Sequence, residues 1–163
     1  MIDKIDEAIR DLAIDVDLLK PLENNARRGN VEAIEASYNK FGQLKPIVAV
    51  KDKDENLLVI AGNHQLQAAK NLGWDQIAVS IVDLNSDDAL AFALADNRIS
   101  DLGSTDADAL YEAISSVAGT DADFFDLLGW DEFAVAVIEN EAIENEFDRE
   151  PRGSNDGWVA PEI

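Results

Sequence analysis

Hydrophobic and polar positions change period several times along this chain of 163 residues, and each change marks an element. Ile2, Ile5, Ile9, Leu12 and Ala13 recur at helical spacing, which predicts an amphipathic helix over residues 2–14. From Ala13 to Leu19 the pattern alternates at period two, which predicts a half-buried strand. Pro21 through Asn30 is rich in Pro, Asn and Arg and reads as a loop. Asn30 suits the cap of a helix to about Phe41, with Val31, Ile34, Tyr38 and Phe41 on one face and Gly42 ending it. Residues 46–50 and 57–60 read as strands around the polar turn 51–56. Residues 62–72 then read as a helix with Leu66, Ala69 and Leu72 inward, stopped at Gly73. A strand at 77–82 follows, and Asn85 or Ser86 caps a helix to about Arg98.

The remainder is helical in pattern. Thr105-Asp-Ala-Asp108 recurs as Thr120-Asp-Ala-Asp123, each copy just before an apolar run. Such a repeat could present carboxylates to a divalent cation, or could be two helix N-caps with acids in the first turn. The second reading is preferred, because acids suit the positive end of the helix dipole and no twelve-residue calcium loop surrounds either copy. Residues 131–141 continue the helical pattern. Residues 144–163 mix acids with Pro151, Gly153, Ser154, Asn155 and Gly157, which predicts a disordered tail whose aromatic content is Phe147 and Trp158.

Composition narrows the chemistry. At 47% hydrophobic the chain has the content of a globular protein, despite a formal net charge of -21. Without cysteine it has no disulfide, thiolate nucleophile or sulfur-bound metal, and its single histidine excludes a His-rich metal site. No apolar run approaches the ~20 residues of a membrane span, and the start lacks a signal peptide's apolar core, so a cytoplasmic protein is expected. The charge is unevenly placed. Residues 1–98 carry 11 basic and 17 acidic side chains, net -6, whereas residues 99–163 carry 2 and 17, net -15. The second part should repel a phosphate backbone, which makes direct DNA binding doubtful there.

The candidate chemistry lies in the first part. In residues 57–73 an apolar strand runs into Gly62, and a helix starts immediately after it. Glycine allows close approach to the backbone, and the first amides of the helix, at Asn63, His64 and Gln65, point at the positive end of the dipole. That is an anion site in form, with phosphate the usual occupant. His64 reads either as a phosphate ligand or general acid/base, or as a polar residue of the first turn without a catalytic role.

Four ordered motifs place this pattern in context: Asn25-Ala26-Arg27; Gly42-Gln43-Leu44-Lys45-Pro46; the Gly62–Gly73 box; and Ala95-Asp96-Asn97-Arg98. Together they resemble the ParB/sulfiredoxin superfamily, in particular the ParB-like N-terminal (ParB-like nuclease) domain of its phage and DNA-methylase-associated branch. Leu127-Leu128-Gly129-Trp130-Asp131-Glu132 looks like the helical extension of that branch. The resemblance implies that Gly62, Asn63, His64 and Gln65 cradle the phosphates of a nucleoside triphosphate (CTP or ATP). It also implies that Asp96 and Asn97 serve Mg2+ and the attacking water, and that Gln43 and Pro46 line the base pocket. The family's Gly-Glu-Arg-Arg is here Gly-Asn-His-Gln, so both box arginines are missing. Either Arg27, Arg28 or Arg98 then holds the phosphates instead, or affinity is weakened, or binding is lost. In sulfiredoxin the residue after the glycine is the catalytic cysteine; Asn63 stands there, so that reductase chemistry is excluded. No helix-turn-helix follows in recognisable form, so operator recognition is not expected.

The fold expected is therefore α/β (α+β), a small twisted ParB/sulfiredoxin-like sheet of about four strands packed on helices, with a C-terminal helical extension. Residues 1–100 are expected to be a ParB-like nucleotide-binding domain, 101–143 an acidic helical extension and 144–163 an acidic tail. The function expected is Mg2+-dependent nucleotide binding in DNA segregation, modification or processing, with Asp96 and His64 as catalytic candidates for NTPase or nuclease activity. The alternative is a catalytically inert acidic module that binds a basic protein partner or mimics DNA. An acid-rich adaptation to high salt is also consistent with the charge.

Overall fold

The start of the chain departs from the predicted helix. The computed structural model describes residues 4–22, 29–117, 121–130 and 134–138. Its contacts divide the chain into two units, Met1–Ser104 and Thr105–Ile163. Residues 4–6 are extended rather than helical: the Gln43 amide donates to the Lys4 carbonyl at 2.8 Å, and the Asp6 amide to the Gln43 carbonyl at 3.0 Å. The Asp6 side chain then accepts from the Ala8 amide and starts a short 3-10 helix, Glu7–Leu12.

The period-two run that follows is two strands, not one. β1 (Ala13–Asp15) and β2 (Leu19–Pro21) are separated by a 3-10 turn at Val16–Leu18. The Asp15 carboxylate makes the break by accepting from the Asp17 amide at 2.9 Å. Helix α1 (Val31–Phe41) is capped as expected by Asn30, whose side chain accepts from the Ala33 amide. β3 (Ile47–Lys51) and β4 (Leu57–Ala61) form an antiparallel hairpin, α2 (Asn63–Asn71) crosses over, and β5 (Gln76–Val82) runs parallel to β3. α3 (Ser86–Leu102) starts at the Asn85 cap and continues one turn beyond the predicted end.

The sheet has five strands in the order β1-β5-β3-β4-β2, so splitting the first run adds one to the expected four. β1 pairs antiparallel with β5, and β2 pairs parallel with β4. Three residues therefore join opposite edges of the sheet. A flat five-stranded sheet would separate those edges by roughly 19 Å, whereas four residue steps reach about 14 Å at full stretch. The sheet is accordingly curled.

Burial explains why β3 and β4 read as unbroken apolar runs. Ile47, Ala49 and Val59 pack on one face with Leu66, Ala69, Trp74, Ile77 and Val79. Val50 and Ile60 pack on the other with Ala89 and Ala93 of α3, flanked by Val48 and Leu58. Both faces are covered, by α1 and α2 on one side and α3 on the other, so neither strand has a polar face. Tyr38 of α1 stacks on the buried Trp74, ring centroids 4.8 Å apart at 13°.

In the second unit, α4 (Ala107–Val117) and α5 (Ala122–Leu127) follow the repeated tetrapeptides. The first aspartate of each copy caps its helix. Asp106 accepts from the Ala109 amide at 3.1 Å, and Asp121 from the Phe124 amide at 3.2 Å. Residues 134–138 are helical. Phe147, Trp158 and the predicted tail lie outside the described residues.

Candidate functional site

A strand buried on both faces must leave the sheet abruptly to let a helix start, and Gly62 makes that exit. It holds φ at 101°, and an added Cβ would lie 2.4 Å from Cγ2 of Ile47. Conformation and contact both require glycine there. The Gly62 carbonyl accepts the Leu66 amide at 2.9 Å, which opens α2, and no side chain caps the first turn. The Asn63, His64 and Gln65 amides form the dipole end expected of an anion site.

The junction opens into a cavity of about 460 Å³. Its lining includes Ala61 and the Gly62–Gln65 box, Asp96, Asn97 and Ser100 of α3, and Lys45 and Gly29. The structure thus gathers Gly62, Asn63, His64, Gln65, Asp96 and Asn97 around one concavity, although box and carboxylate lie more than 30 residues apart in sequence.

Two box side chains have partners that the sequence did not suggest. Asn63 Oδ1 accepts the Leu22 amide at 3.0 Å, and His64 Nε2 accepts the Gly29 amide at 3.0 Å. They therefore grip the chain on either side of residues 23–28, and the second bond requires a lone pair on Nε2. Gly29 lies so close to the imidazole that an added Cβ would approach its Cγ and Nδ1 to 2.8 Å. Arg27 and Arg28 lie outside the described residues.

Other expected site residues fall elsewhere. Gln43, expected at a base pocket, is fully buried. Its side-chain NH2 donates to the Ala78 carbonyl at 2.9 Å, and its Oε1 accepts the Ala78 amide at 2.6 Å. The amide group imitates a peptide unit and prolongs the ladder beside β5, just ahead of the Ile47–Val79 pair that begins β3. Both ends of that group are hydrogen-bonded inside the fold, so Gln43 clamps β5 to the segment that leads into β3. Pro46 is half-buried and does not line the cavity, and Arg98 is exposed on α3 beside the lining residues without joining them. Sequence reasoning missed Lys45. It lies inside the Gly42–Pro46 motif, so its position was marked, but its charge was given no role.

Asp96 and Asn97 offer oxygen ligands of the kind a hard cation takes. Among the described residues no cluster of three or more His, Asp or Glu could hold a metal ion. Protein ligands alone are too few there, so waters or the oxygens of a bound anion would have to complete the shell of a magnesium ion. Among the described residues no helix is long and apolar enough to cross a membrane.

Comparisons with known proteins agree with this architecture. The nucleoid occlusion protein of Bacillus cereus (strain AH187) is 31% identical over 67 residues, 41% of this chain and 23% of the relative. That of Bacillus thuringiensis (strain Al Hakam) is 30% identical over the same coverage. The chain thus spans about a quarter of the length of these relatives. Among solved structures, the C-terminally truncated chromosome-partitioning protein ParB from Caulobacter crescentus, complexed with CTP-gamma-S, superposes with a TM-score of 0.63 at 14% identity. The superposition covers 83% of this chain and 86% of that one, and shows a shared ParB/sulfiredoxin-like fold. Residues 4–98 match the family model of the ParB N-terminal domain, and the chain belongs to that family.

Proposed function

We propose that residues 1–100 form a nucleotide-binding domain that takes a nucleoside triphosphate with Mg2+. The observation that carries this reading is the cavity of about 460 Å³ joining the uncapped start of α2 to Asp96 and Asn97. In it the amides of Asn63, His64 and Gln65 would receive the phosphates, as helix N-termini do for anions. Asp96 and Asn97 would hold magnesium jointly with phosphate oxygens. When bound, the ion supplies charge neutralisation for the phosphates. Arg27, Arg28 and Arg98 are candidates to approach the same anion, and Asp96 would orient an attacking water if the nucleotide is hydrolysed. The related ParB of known structure was crystallised with CTP-gamma-S, which favours a cytidine nucleotide.

The Ala95-Asp96-Asn97-Arg98 run and the Leu127–Glu132 segment support membership of the methylase-associated, phage-borne branch, acting in DNA segregation, modification or processing. Residues 101–143 then serve as an acidic extension. Calorimetric titration of the full chain with each of the four ribonucleoside triphosphates and MgCl2 tests the central reading. Saturable binding, strongest for CTP, is expected. No heat with any of the four would overturn it and favour the inert acidic module.

A further inference from the structure

We propose that Lys45 is the cation this chain sets against the phosphates, in place of the two box arginines that its sequence lacks; this rests on the nucleotide reading above. Three observations lead there. First, the box side chains do not replace the missing charge. Asn63 Oδ1 and His64 Nε2 accept the Leu22 and Gly29 amides, which leaves Asn63 Nδ2 and His64 Nδ1 as donors, and neither supplies what two guanidinium groups would. Second, a triphosphate needs opposing charge. Among the described residues that line the cavity, Lys45 is the basic side chain apart from the imidazole, and the carboxylate of Asp96 adds repulsion. Third, its placement follows from the fold. Lys45 is two residues ahead of Ile47, whose side chain Gly62 touches, so the motif that starts β3 delivers an ammonium to the mouth of the box. Lys45 is exposed, so its long stem can reach the anion without leaving a buried charge behind when the site is empty.

Lysine here changes the character of recognition. An ammonium is a point charge with rotatable donors, where arginine offers a fixed fork. The Asn63 and His64 side chains act as positioning residues for the chain entering and leaving residues 23–28, and Lys45 carries the electrostatic contact.

The test is calorimetry on the full chain with the best-binding nucleoside triphosphate and MgCl2, comparing Lys45→Ala, Lys45→Arg and, as a control, Lys51→Ala. Lys51 pairs with Glu55 at 2.8 Å and does not line the cavity. Loss of one charge-assisted contact should weaken Lys45→Ala about tenfold or more. Lys45→Arg should stay within about threefold and Lys51→Ala should match the parent. Inorganic triphosphate titrated directly should lose affinity for Lys45→Ala by the same factor as the nucleotide, since both share the contact. Parent-like affinity in a folded Lys45→Ala protein would overturn the assignment and leave the nucleotide reading intact. Absence of binding by the parent itself would overturn both.

Discussion

At the scale of single residues, side-chain amides do work that the backbone cannot. Gln43 is the clearest case: it closes both hydrogen-bonding groups of Ala78 where β3 has not yet begun. Replacing it with alanine would leave a buried N–H and a buried carbonyl without partners, and a cavity beside them. Gln43→Ala should therefore lower stability by about 2–4 kcal/mol, read from urea unfolding. A loss below about 1 kcal/mol would mean that water or a shifted strand replaces the clamp. Asn63 applies the same chemistry where β4 gives way to α2, its carbonyl oxygen taking the Leu22 amide.

At the scale of elements, the contact between α1 and the segment after α2 sets a pH limit. Burial raises the Tyr38 hydroxyl from 10 to about 12. The folded state thus resists ionisation that the unfolded chain permits. Stability from this source is complete below pH 10 and is lost as pH rises towards 12. Tyr38→Phe should flatten that decline, as followed by unfolding at several alkaline pH values, and an unchanged decline would assign it to other groups.

The elements also show what a sequence reveals. Helix α1 was legible because Asn30 and Gly42 bracket it and its apolar positions follow one period. The Gly62 junction was legible as a turn from strand to helix because an apolar run ends in glycine just before a helical period begins. The break at Asp15 was not, because Ile14, Val16 and Leu18 keep an alternating pattern across it. The turn puts Leu19 in the core and leaves Leu18 exposed, and two adjacent leucines give periodicity no way to tell which one is buried. Gln43 shows a related limit: its place in a motif is visible, but a glutamine facing a ligand and one closing a ladder look the same in sequence. The partners of Asn63 and His64 depend on a long-range approach of Leu22 and Gly29 that no local pattern encodes.

At the scale of the whole molecule, charge is the dominant asymmetry. Residues 99–163 carry 17 acids against 2 basic residues, while the cavity belongs to the less charged part. Self-repulsion among those acids should weaken as salt is added, because the screening length falls from about 30 Å at 0.01 M to about 3 Å at 1 M. The thermal midpoint is expected to rise over that range in NaCl, measured by circular dichroism. A midpoint that stays level or falls would show that the acids are spaced or paired well enough to coexist.

The curled sheet has a consequence for the order in which the chain acquires its shape. β1 and β2 are among the first described segments to be synthesised, yet β1 pairs with residues 76–78 and β2 with residues 57–59. At about 5–20 residues per second, the ribosome leaves the interval from Pro21 to Val82 as a delay of roughly 3–12 s. Over most of it β1 has no template, and β2 has none until residues 57–59 are made. The β3–β4 hairpin and the α2 crossover must form first, and the early segment then closes over them as a clasp. Birth order and assembly order are opposed in this domain, and a slowing of translation before residue 76 would prolong the time that its first strands spend unpaired.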